Sequence, residues 1–317
     1  MLNWGVIGFG NMGKQYVDCL KKESNFFTLA GVSSKTKNNF KSTNFFKSYE
    51  DLFKSSHVDA VYISTLNNTH KDLVKEAYKH KKKILCEKPI GMNLKDVKEL
   101  YNLFKDNKND IIEAIAYRSH PQTVSFLNLL EDKEVGEIKK IESNFGFKVK
   151  KIKKESRLFN KDLGGGSILD LGCYPISFFN LFTKNKKIKI INSYFNLCET
   201  NVDIDGEISL KINDNIDAIA KVSLRENLKN ICRVNTEKAI ITLIEPWLPS
   251  NKTYIEVETK SRYYKKIISL KKSVYDFHIE QCSKFFLKKA LDRNLLVNIE
   301  ESLEISKMID FWINNKG

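Results

Sequence analysis

The chain has 317 residues, enough for about two domains, with 42% hydrophobic and 29% charged residues and a net charge of +14. This balance excludes a disordered chain. The chain contains no run of about 20 apolar residues, so we expect no transmembrane helix. The N-terminus enters a strand-like segment directly, without a basic region and an apolar run, so we expect no signal peptide and a cytoplasmic protein.

The positive charge does not indicate a nucleic-acid partner. The lysines are spread along the whole chain, no nucleic-acid-binding motif accompanies them, and we expect neither nucleic acid nor a membrane as a partner. The densest run, 148–154, predicts a solvated strand or loop, with an anion-binding pocket as the alternative. The six cysteines include no CxxC pair and no Cys/His cluster with zinc-like spacing. We therefore expect free, mostly buried thiols and no metal site.

The first 118 residues alternate strand-like and helix-like segments. The strand-like segments are Trp4–Gly8, Phe27–Ser33, Val58–Ser64, Lys83–Cys86 and Asp110–Ala116, and the helix-like ones are Met12–Lys22, Thr69–His80 and Leu94–Asn107. This alternation predicts a parallel sheet covered by helices on both faces, which is an α/β, Rossmann dinucleotide-binding domain at residues 1–118.

The pattern changes in the remaining residues, 119–317. From Ile138 to Leu270 strands follow one another, with one helix starting near Gly166, and Asn213-Asp214-Asn215 is a turn signal between two of them. Residues 254–260 alternate apolar and polar side chains, as in a sheet with one wet face. We predict an α+β domain with a large, open, mainly antiparallel sheet. Its last helices, with Ile279, Cys282, Phe286 and Ala290 on one face, are expected to pack back on the first domain.

A dinucleotide fingerprint lies between the first strand and the first helix. Its residues are Gly8, Phe9, Gly10, Asn11, Met12 and Gly13, which match G-x-G-x-x-G. Gly8 permits a tight turn, Gly10 lets the backbone approach a pyrophosphate, and Gly13 allows close helix–strand packing. The helix N-terminus then offers N–H groups to the phosphates.

The end of the second strand favours NADP over NAD. NAD-selective sites place a carboxylate there to bind the ribose, but this chain has Ser33, Ser34 and Lys35, with no carboxylate between Thr28 and Ser42. Two hydroxyls and a lysine would accept a 2′-phosphate. The alternative is that Lys35 belongs to the general lysine background.

Several further motifs resemble one family. They are Ser-Thr-Leu-Asn-Asn-Thr-His at 64–70, Glu-Lys-Pro at 87–89, Tyr-Arg-Ser-His-Pro at 117–121, Arg157, and Gly164-Gly165-Gly166 before Asp-Leu-Gly-Cys-Tyr-Pro at 170–175. With the glycine loop, they resemble the glucose–fructose oxidoreductase, inositol dehydrogenase and rhizopine catabolism (Gfo/Idh/MocA) family in its order, over residues 1 to about 180. Many family members carry His at the position of Tyr174. In having tyrosine there, this chain resembles the branch that includes dimeric dihydrodiol dehydrogenases and xylose dehydrogenases.

The resemblance implies a set of cofactor contacts and a catalytic group. Thr65, Leu66, Asn67, His70, Glu87 and Lys88 are expected beside the nicotinamide cofactor. The Lys88–Pro89 bond is expected to be cis.

Lys88, Asp170 and Tyr174 are the expected catalytic residues. Alcohol oxidation needs a base, and a phenol, with a free pKa of about 10, needs a neighbouring ammonium to be one at pH 7. We expect Lys88 to tune Tyr174, and Asp170 to orient the substrate or Lys88. Each has a structural alternative: a surface lysine, a core aromatic ring and a residue at a helix start.

Arg118, His120 and Arg157 are expected to shape the substrate pocket, with structural hydrogen bonding as an equally weighted alternative. The sequence therefore predicts an NAD(P)-dependent oxidoreductase that acts on a CH–OH group of a sugar, polyol or diol. We expect it to form a homodimer or a higher homo-oligomer. The alternatives are a dehydrogenase of a nucleotide-linked sugar in surface polysaccharide synthesis and a non-catalytic NADP-binding sensor or regulator of the same fold.

Overall fold

The computed structural model describes residues 1–35, 44–183 and 187–315. The chain divides into two compact units. The first unit consists of Met1–Ala116 and Tyr275–Leu303, and the second of Tyr117–Val274 and Glu304–Gly317. Each unit is therefore assembled from two separated stretches of sequence.

The secondary structure of the described residues follows the chain in this order. The strands are β1 (Leu2–Ile7), β2 (Phe27–Ser33), β3 (Ala60–Ile63), β4 (Lys83–Glu87), β5 (Ile111–Ala114), β6 (Ile138–Gly146), β7 (Ile188–Leu197), β8 (Asp203–Ile212), β9 (Ile216–Ser223), β10 (Ile231–Thr236), β11 (Ala239–Ile244), β12 (Lys252–Thr259), β13 (Tyr263–Ser269) and β14 (Val297–Asn298). The helices are α1 (Asn11–Leu20), α2 (Tyr49–Lys54), α3 (His70–Lys79), α4 (Leu94–Phe104), α5 (Pro121–Leu130), α6 (Ser167–Leu171), α7 (Cys173–Thr183), α8 (Val274–Phe286) and α9 (Ile299–Asn314).

The first unit is built on a six-stranded sheet in the order β14-β5-β4-β3-β1-β2. The pairs formed by β1 to β5 are parallel, and β14 runs antiparallel to β5 at the edge. Strands β3 and β5 are buried along their whole length because apolar clusters cover both faces of the sheet. Such strands need apolar side chains on both sides, which explains their nearly continuous apolar sequences.

Helix α8 completes one of these clusters. Ile279, Cys282 and Phe286 are buried with Trp4 of β1, whose indole Nε1 donates to the Ser283 hydroxyl at 2.9 Å.

The prediction that Ala290 shares this buried face of α8 is wrong. Ala290 is exposed and lies beyond the helix, which ends at Phe286. The reason is that Lys288 adopts a left-handed φ of 54°, and the Lys289 N–H then bonds to the Lys284 carbonyl at 2.8 Å. This geometry terminates a helix.

The second unit is built on an eight-stranded sheet in the order β13-β12-β11-β10-β6-β9-β8-β7. All pairs are antiparallel except β6 with β9. The predicted turn is confirmed between β8 and β9, where Asn213 and Asp214 have φ of 51° and 61°. The predicted alternation is confirmed in β12, where Ile255 and Val257 are buried.

Helices α5, α6 and α7 contact this sheet through strands that include β6, β8 and β11. The predicted fold class is therefore confirmed: a Rossmann-type α/β sheet and a second, large, mainly antiparallel sheet. All six cysteine side chains are thiols rather than disulfides. No helix of the described residues combines the length and apolar character needed to cross a membrane.

Candidate functional site

The glycine loop after β1 has the geometry of a phosphate-binding turn. Gly8 has a φ of 90°, and a Cβ there would lie 2.8 Å from the Ser64 carbonyl oxygen. A Cβ on Gly13 would lie 2.3 Å from the Gly8 oxygen, so α1 can approach this loop only without a side chain. A Cβ on Gly10 would meet no atom within 4 Å, which leaves space for a ligand against the backbone.

Helix α1 begins directly after this open space. Gly10 is its N-cap residue and offers no side chain to its first N–H groups. Phe9 and Met12 are half-buried beside the loop, and Asn11 is exposed. The first turn of this ten-residue helix therefore presents N–H donors of the kind that bind phosphate. The loop fits the pyrophosphate of a dinucleotide.

The end of β2 lies beside the loop. The Ser33 carbonyl accepts a hydrogen bond from the Gly8 N–H at 2.9 Å, which joins the two segments. Ser33 is buried, Ser34 is half-buried and Lys35 is exposed. The Lys35 Nζ lies 5.8 Å from the ring centroid of Tyr49. The ammonium therefore stands at the strand end with access to solvent.

The segment after β3 is fixed around His70. Its imidazole is fully buried, with Nδ1 2.8 Å from the Pro89 carbonyl oxygen and Nε2 3.2 Å from the Thr65 carbonyl oxygen. Asn67 is buried and Leu66 is 47% exposed. His70 thus connects the segment after β3 to the turn after β4, the two places where cofactor contacts are predicted.

Glu87 and Lys88 stand at the end of β4. The Tyr62 hydroxyl donates to Glu87, which is buried, and the Lys88 side chain is half-buried. The Lys88–Pro89 peptide is cis, as the resemblance implied. Carboxyl ends of parallel strands are where open α/β sheets bind ligands.

A carboxyl group on the neighbouring strand supports this turn. Glu113 of β5 is buried, and its Oε1 accepts a hydrogen bond from the Ile90 N–H at 3.0 Å. Burial raises its pKa to about 7, while the nearby Ser302 hydroxyl, the hydrogen bond from Ile90 and the Lys88 charge act in the opposite direction. Its charge therefore changes near neutral pH.

A buried polar cluster lies between α1, β3 and α8. The Tyr16 hydroxyl lies 2.6 Å from His278 Nδ1, and its ring stacks on Tyr62 with centroids 3.9 Å apart. Burial lowers the pKa of His278 to about 3, so this imidazole is neutral at pH 7. Burial, with the Glu87 charge, raises the pKa of Tyr275 to about 12.

The second unit holds the predicted Asp170 and Tyr174. Asp170 lies in α6 with 4% exposure, and its Oδ1 accepts a hydrogen bond from Arg157 NH1 at 2.8 Å. Arg157 is in the 3-10 turn Arg157–Phe159, and 43% of its side chain is exposed. The structure therefore pairs two predicted site residues with each other, and Arg157 provides the countercharge for Asp170.

Tyr174 lies in the first turn of α7 beside several aromatic rings. Its ring centroid is 5.2 Å from that of Phe145, 5.7 Å from Trp247 and 6.2 Å from Tyr117. The Trp247 indole is fixed by a 2.9 Å hydrogen bond to the Asn144 carbonyl. Tyr174 is half-buried, so its phenol is held by rigid apolar neighbours without being sealed from solvent.

Arg118 and His120 are buried within the second unit. Arg118 NH1 donates to the Ser177 carbonyl at 2.8 Å, and His120 Nδ1 accepts from the Gln122 N–H at 3.2 Å as the N-cap of α5. Burial lowers the pKa of His120 to about 4. These bonds give both side chains a structural role, and their contact with substrate stays a prediction.

Three residues beside the predicted ones carry weaker sequence signals. Phe145 and Trp247 belong to no motif. The packing of β6 against α7 brings Phe145 to Tyr174, and Trp247, which follows β11, is joined to β6 through its bond to Asn144. Glu113 does carry a signal, because it is a lone carboxylate inside the apolar stretch 111–116. Such a group is buried at a cost and indicates a specific partner.

Comparison with known proteins identifies both parts of the chain. A family model described as an oxidoreductase family with an NAD-binding Rossmann fold matches residues 2–114, and the GFO/IDH/MocA C-terminal domain matches residues 126–242. Together they span more than half of the chain. The predictions of an oxidoreductase and of a nicotinamide cofactor, NAD or NADP, are confirmed.

Relatives match along nearly the whole chain. The trans-1,2-dihydrobenzene-1,2-diol dehydrogenase of Xenopus tropicalis is 26% identical over 99% of this chain and 98% of its own length. Among solved structures, the 3-ketoreductase KijD10 from Actinomadura kijaniata, in complex with NADP and TDP-benzene, superposes with a TM-score of 0.85 at 18% identity, covering 98% of this chain and 96% of its own. The aldose-aldose oxidoreductase from Caulobacter crescentus, complexed with glycerol, has a TM-score of 0.84 at 17% identity, covering 98% and 95%. The two structures share the fold.

Proposed function

This chain belongs to the Gfo/Idh/MocA family of oxidoreductases, and we propose that it transfers hydride between a nicotinamide cofactor and a CH–OH or carbonyl carbon of a sugar, polyol or diol. The observation that carries the proposal is the environment of Tyr174. Its half-buried phenol stands among aromatic rings, one helical turn from the Asp170–Arg157 pair. A flat apolar wall beside polar groups suits a ring or chain that carries hydroxyl groups.

The cofactor would be held by the first unit. The N–H groups of the glycine loop and α1 would bind its pyrophosphate, and Ser33, Ser34 and Lys35 would bind the adenosine ribose and its 2′-phosphate. Thr65, Asn67, Glu87 and Lys88 would line the nicotinamide end, and the buried His70 would hold the two segments that carry them. When bound, the nicotinamide accepts or supplies the hydride of the reaction.

The protein's own residues would handle the proton. In the oxidation direction, Tyr174 takes the hydroxyl proton of the substrate, and in reduction it returns one to the carbonyl oxygen. The Lys88 ammonium favours the phenolate, and so keeps a group with an ordinary pKa of about 10 active near neutral pH. Asp170, held by Arg157, orients the substrate hydroxyls. The alternative makes Lys88 the proton carrier and Tyr174 a wall of the pocket.

Two features support a diol or sugar as the substrate class. The relatives that match almost the whole chain are named for a cyclic diol, and one structural neighbour was solved with glycerol. The test is a screen of cofactor reduction by NADP and NAD with a trans-dihydrodiol, aldoses, polyols and nucleotide-linked sugars. We expect turnover with diols or free sugars and NADP. No turnover with any CH–OH substrate, together with tight NADPH binding, would favour the sensor function instead.

A second candidate is a nucleotide-linked sugar, and a lysine-rich loop favours it. Residues 148–154 form a loop directly after β6, the strand that places Phe145 against Tyr174. Its five lysines are exposed, and none of their ammonium groups forms an ion pair with any described residue. Bonds from the Phe147 and Val149 N–H groups to the Ser223 and Leu224 carbonyls fix the base of the loop. A diphosphate would be attracted to this charge.

Lysine substitutions separate the two candidates. Replacing Lys148, Lys150, Lys151 and Lys153 by Gln should raise the KM for a nucleotide-linked sugar by about tenfold, since several charge contacts are lost. The KM for the free sugar should not change. The matched control replaces Lys238 and Lys260, two exposed lysines on other parts of the second unit. Equal KM values in loop variant and wild type would remove this candidate.

A further inference from the structure

We propose that Glu113 is a positioning residue for Lys88, with a buried carboxylate that fixes the turn carrying this lysine and stabilises its ammonium. The inference rests on the proposed function, in which Lys88 acts on the reacting groups. It assigns a role in the same site to a residue of β5 that belongs to none of the motifs described above.

Glu113 is placed for this role by the parallel sheet. In the register of β4 and β5 it lies opposite Cys86, two residues before Lys88. Its Oε1 accepts from the Ile90 N–H at 3.0 Å, while His70 Nδ1 lies 2.8 Å from the Pro89 carbonyl oxygen. The Pro89 carbonyl and the Ile90 N–H belong to one peptide group. That group is therefore held at both ends, and the backbone that carries Lys88 cannot rotate freely.

Hydrogen bonding alone does not explain a carboxyl group at this position. A neutral glutamine oxygen could accept the same bond from Ile90, without the desolvation cost of a buried charge. The ionisable groups that act on Glu113 include Cys86 and Lys88 from the β4 side and Glu301 from α9. Among these named groups Lys88 is the cation, and its charge favours the ionised carboxylate.

The expected consequence is a mutual stabilisation of charge. If Lys88 lowers the pKa of Glu113, the Glu113 carboxylate must raise the pKa of Lys88 by the same interaction. The ammonium that is proposed to activate Tyr174 would then persist to higher pH. A residue that only supports the turn would have no such effect.

The test is Glu113→Gln, which keeps the acceptor for Ile90 and removes the charge. We would measure acetylation of Lys88 by acetic anhydride across pH, using mass spectrometry of the folded protein. The pKa of Lys88 should fall by about 1, because a nearby opposite charge is lost. The alkaline limb of the turnover profile should move to lower pH by a similar amount. The control is Glu99→Gln, a carboxylate of α4 with 43% side-chain exposure.

A second variant keeps the test decisive if Glu113→Gln does not fold. Ser302→Ala removes a nearby hydroxyl group that favours the Glu113 carboxylate, and should shift the Lys88 profile in the same direction by a smaller amount. Lys88 profiles that coincide with wild type in the folded variant would overturn the inference. Wild-type turnover in Lys88→Ala would instead overturn the proposed function, so the two failures are distinguishable.

Discussion

Tyr174 and Lys88 carry the proposed proton chemistry, and their substitution is the sharpest test at the scale of single residues. Tyr174→Phe and Lys88→Ala should each lower kcat by about 10²-fold or more, as expected for loss of a positioned general base. Tyr174→Phe removes one oxygen and keeps the ring contacts with Phe145 and Trp247, so folding should be retained. The double variant should be little worse than either single one, because residues that act as a unit fail together.

The alternative assignment gives a different kinetic pattern. If Lys88 carries the proton and Tyr174 is only a wall of the pocket, Tyr174→Phe would raise KM and leave kcat nearly intact. Phe145→Leu is the matched control, since it alters the wall without touching an ionisable group. Near-normal kcat in Tyr174→Phe would end the tyrosine assignment.

Lys35 decides the cofactor preference. Lys35→Ala should weaken NADPH binding by about tenfold or more, since a hydrogen bond to a charged group contributes roughly 1.5–3 kcal/mol, and NADH binding should not change. The Kd values can be measured by fluorescence titration. Lys21→Ala, another exposed lysine of the first unit, is the control. If the wild type binds NADH more tightly than NADPH, the preference is refuted.

At the scale of elements, Gly13 and Gly10 serve different purposes: Gly13 lets α1 pack against the glycine loop, and Gly10 leaves space for a ligand. Gly13→Ala places a methyl group 2.3 Å from the Gly8 oxygen, so α1 must shift, and unfolding should become easier by about 1–3 kcal/mol. Gly10→Ala meets no atom within 4 Å and should keep the wild-type Tm. Gly10→Ala should nevertheless lose cofactor affinity, because the methyl group occupies the space proposed for the pyrophosphate.

Thermal unfolding with and without NADPH checks this contrast. The Gly10→Ala protein should unfold like wild type alone but gain less stability from NADPH, since stabilisation by a ligand follows its affinity. A normal NADPH shift in Gly10→Ala would show that the cofactor does not approach the loop there.

The sequence predicted the elements whose patterns are local. Strands β1 to β5 were recognisable because strands buried on both faces have continuous apolar sequences, and α1 because a glycine motif precedes it. Strand β14 has two residues, Val297 and Asn298, and its place beside β5 depends on a contact far along the chain. Helix α2 has six residues, too few for a periodic pattern, although Ser48 and Asp51 form a capping box.

The site residues divide in the same way. Motif positions such as Gly8, Lys88 and Tyr174 could be named from the sequence. The Arg157–Asp170 pair could not, because the two residues are joined only when a 3-10 turn meets α6. The aromatic rings around Tyr174 are brought together by tertiary packing, so no local sequence pattern predicts their position.

At the scale of the whole molecule, two buried histidines make stability fall in acid. An unfolded histidine has a pKa of about 6.5, whereas burial lowers the pKa of His278 to about 3 and that of His120 to about 4. At a pH between the folded and unfolded pKa values, the unfolded chain binds more protons than the native protein. The free energy of unfolding therefore decreases as pH falls below about 6.5. Each histidine contributes a slope of about 1.4 kcal/mol per pH unit. The pKa of Glu113 is raised to about 7, so the native state binds more protons than the unfolded chain between about pH 4.5 and 7. In this range Glu113 makes stability rise as pH falls, opposite to the effect of the histidines.

Comparison of variants isolates the histidine effect. His278→Asn keeps an acceptor for the Tyr16 hydroxyl, and its urea-unfolding free energy should depend less on pH between 6.5 and 4 than that of wild type. The exposed His57→Asn is the control and should follow wild type. An unchanged slope in His278→Asn would contradict the assignment.

The eight-stranded sheet is the predicted surface of a homodimer. Exposed apolar side chains on its edge strands include Tyr194, Tyr263 and Ile267, the last 65% exposed. We expect light scattering at micromolar concentration to give twice the chain mass of 36.7 kDa. Ile267→Asp should shift this mass toward the monomer, because a charge at a packed interface is costly. Leu248→Asp, at an exposed site outside the strands, should not. A wild-type monomer would refute the dimer.

The discontinuous first unit has a consequence for synthesis on the ribosome. Its core around Trp4 includes Ile279, Cys282 and Phe286, and its sixth strand is β14. A nascent chain that has just completed β5 already holds five of the six strands but still lacks the apolar cover that α8 provides. One face of the N-terminal Rossmann sheet therefore stays incompletely covered until the ribosome has translated all strands of the second sheet and then α8. We therefore expect chaperones that recognise exposed apolar surface to bind this chain during its synthesis.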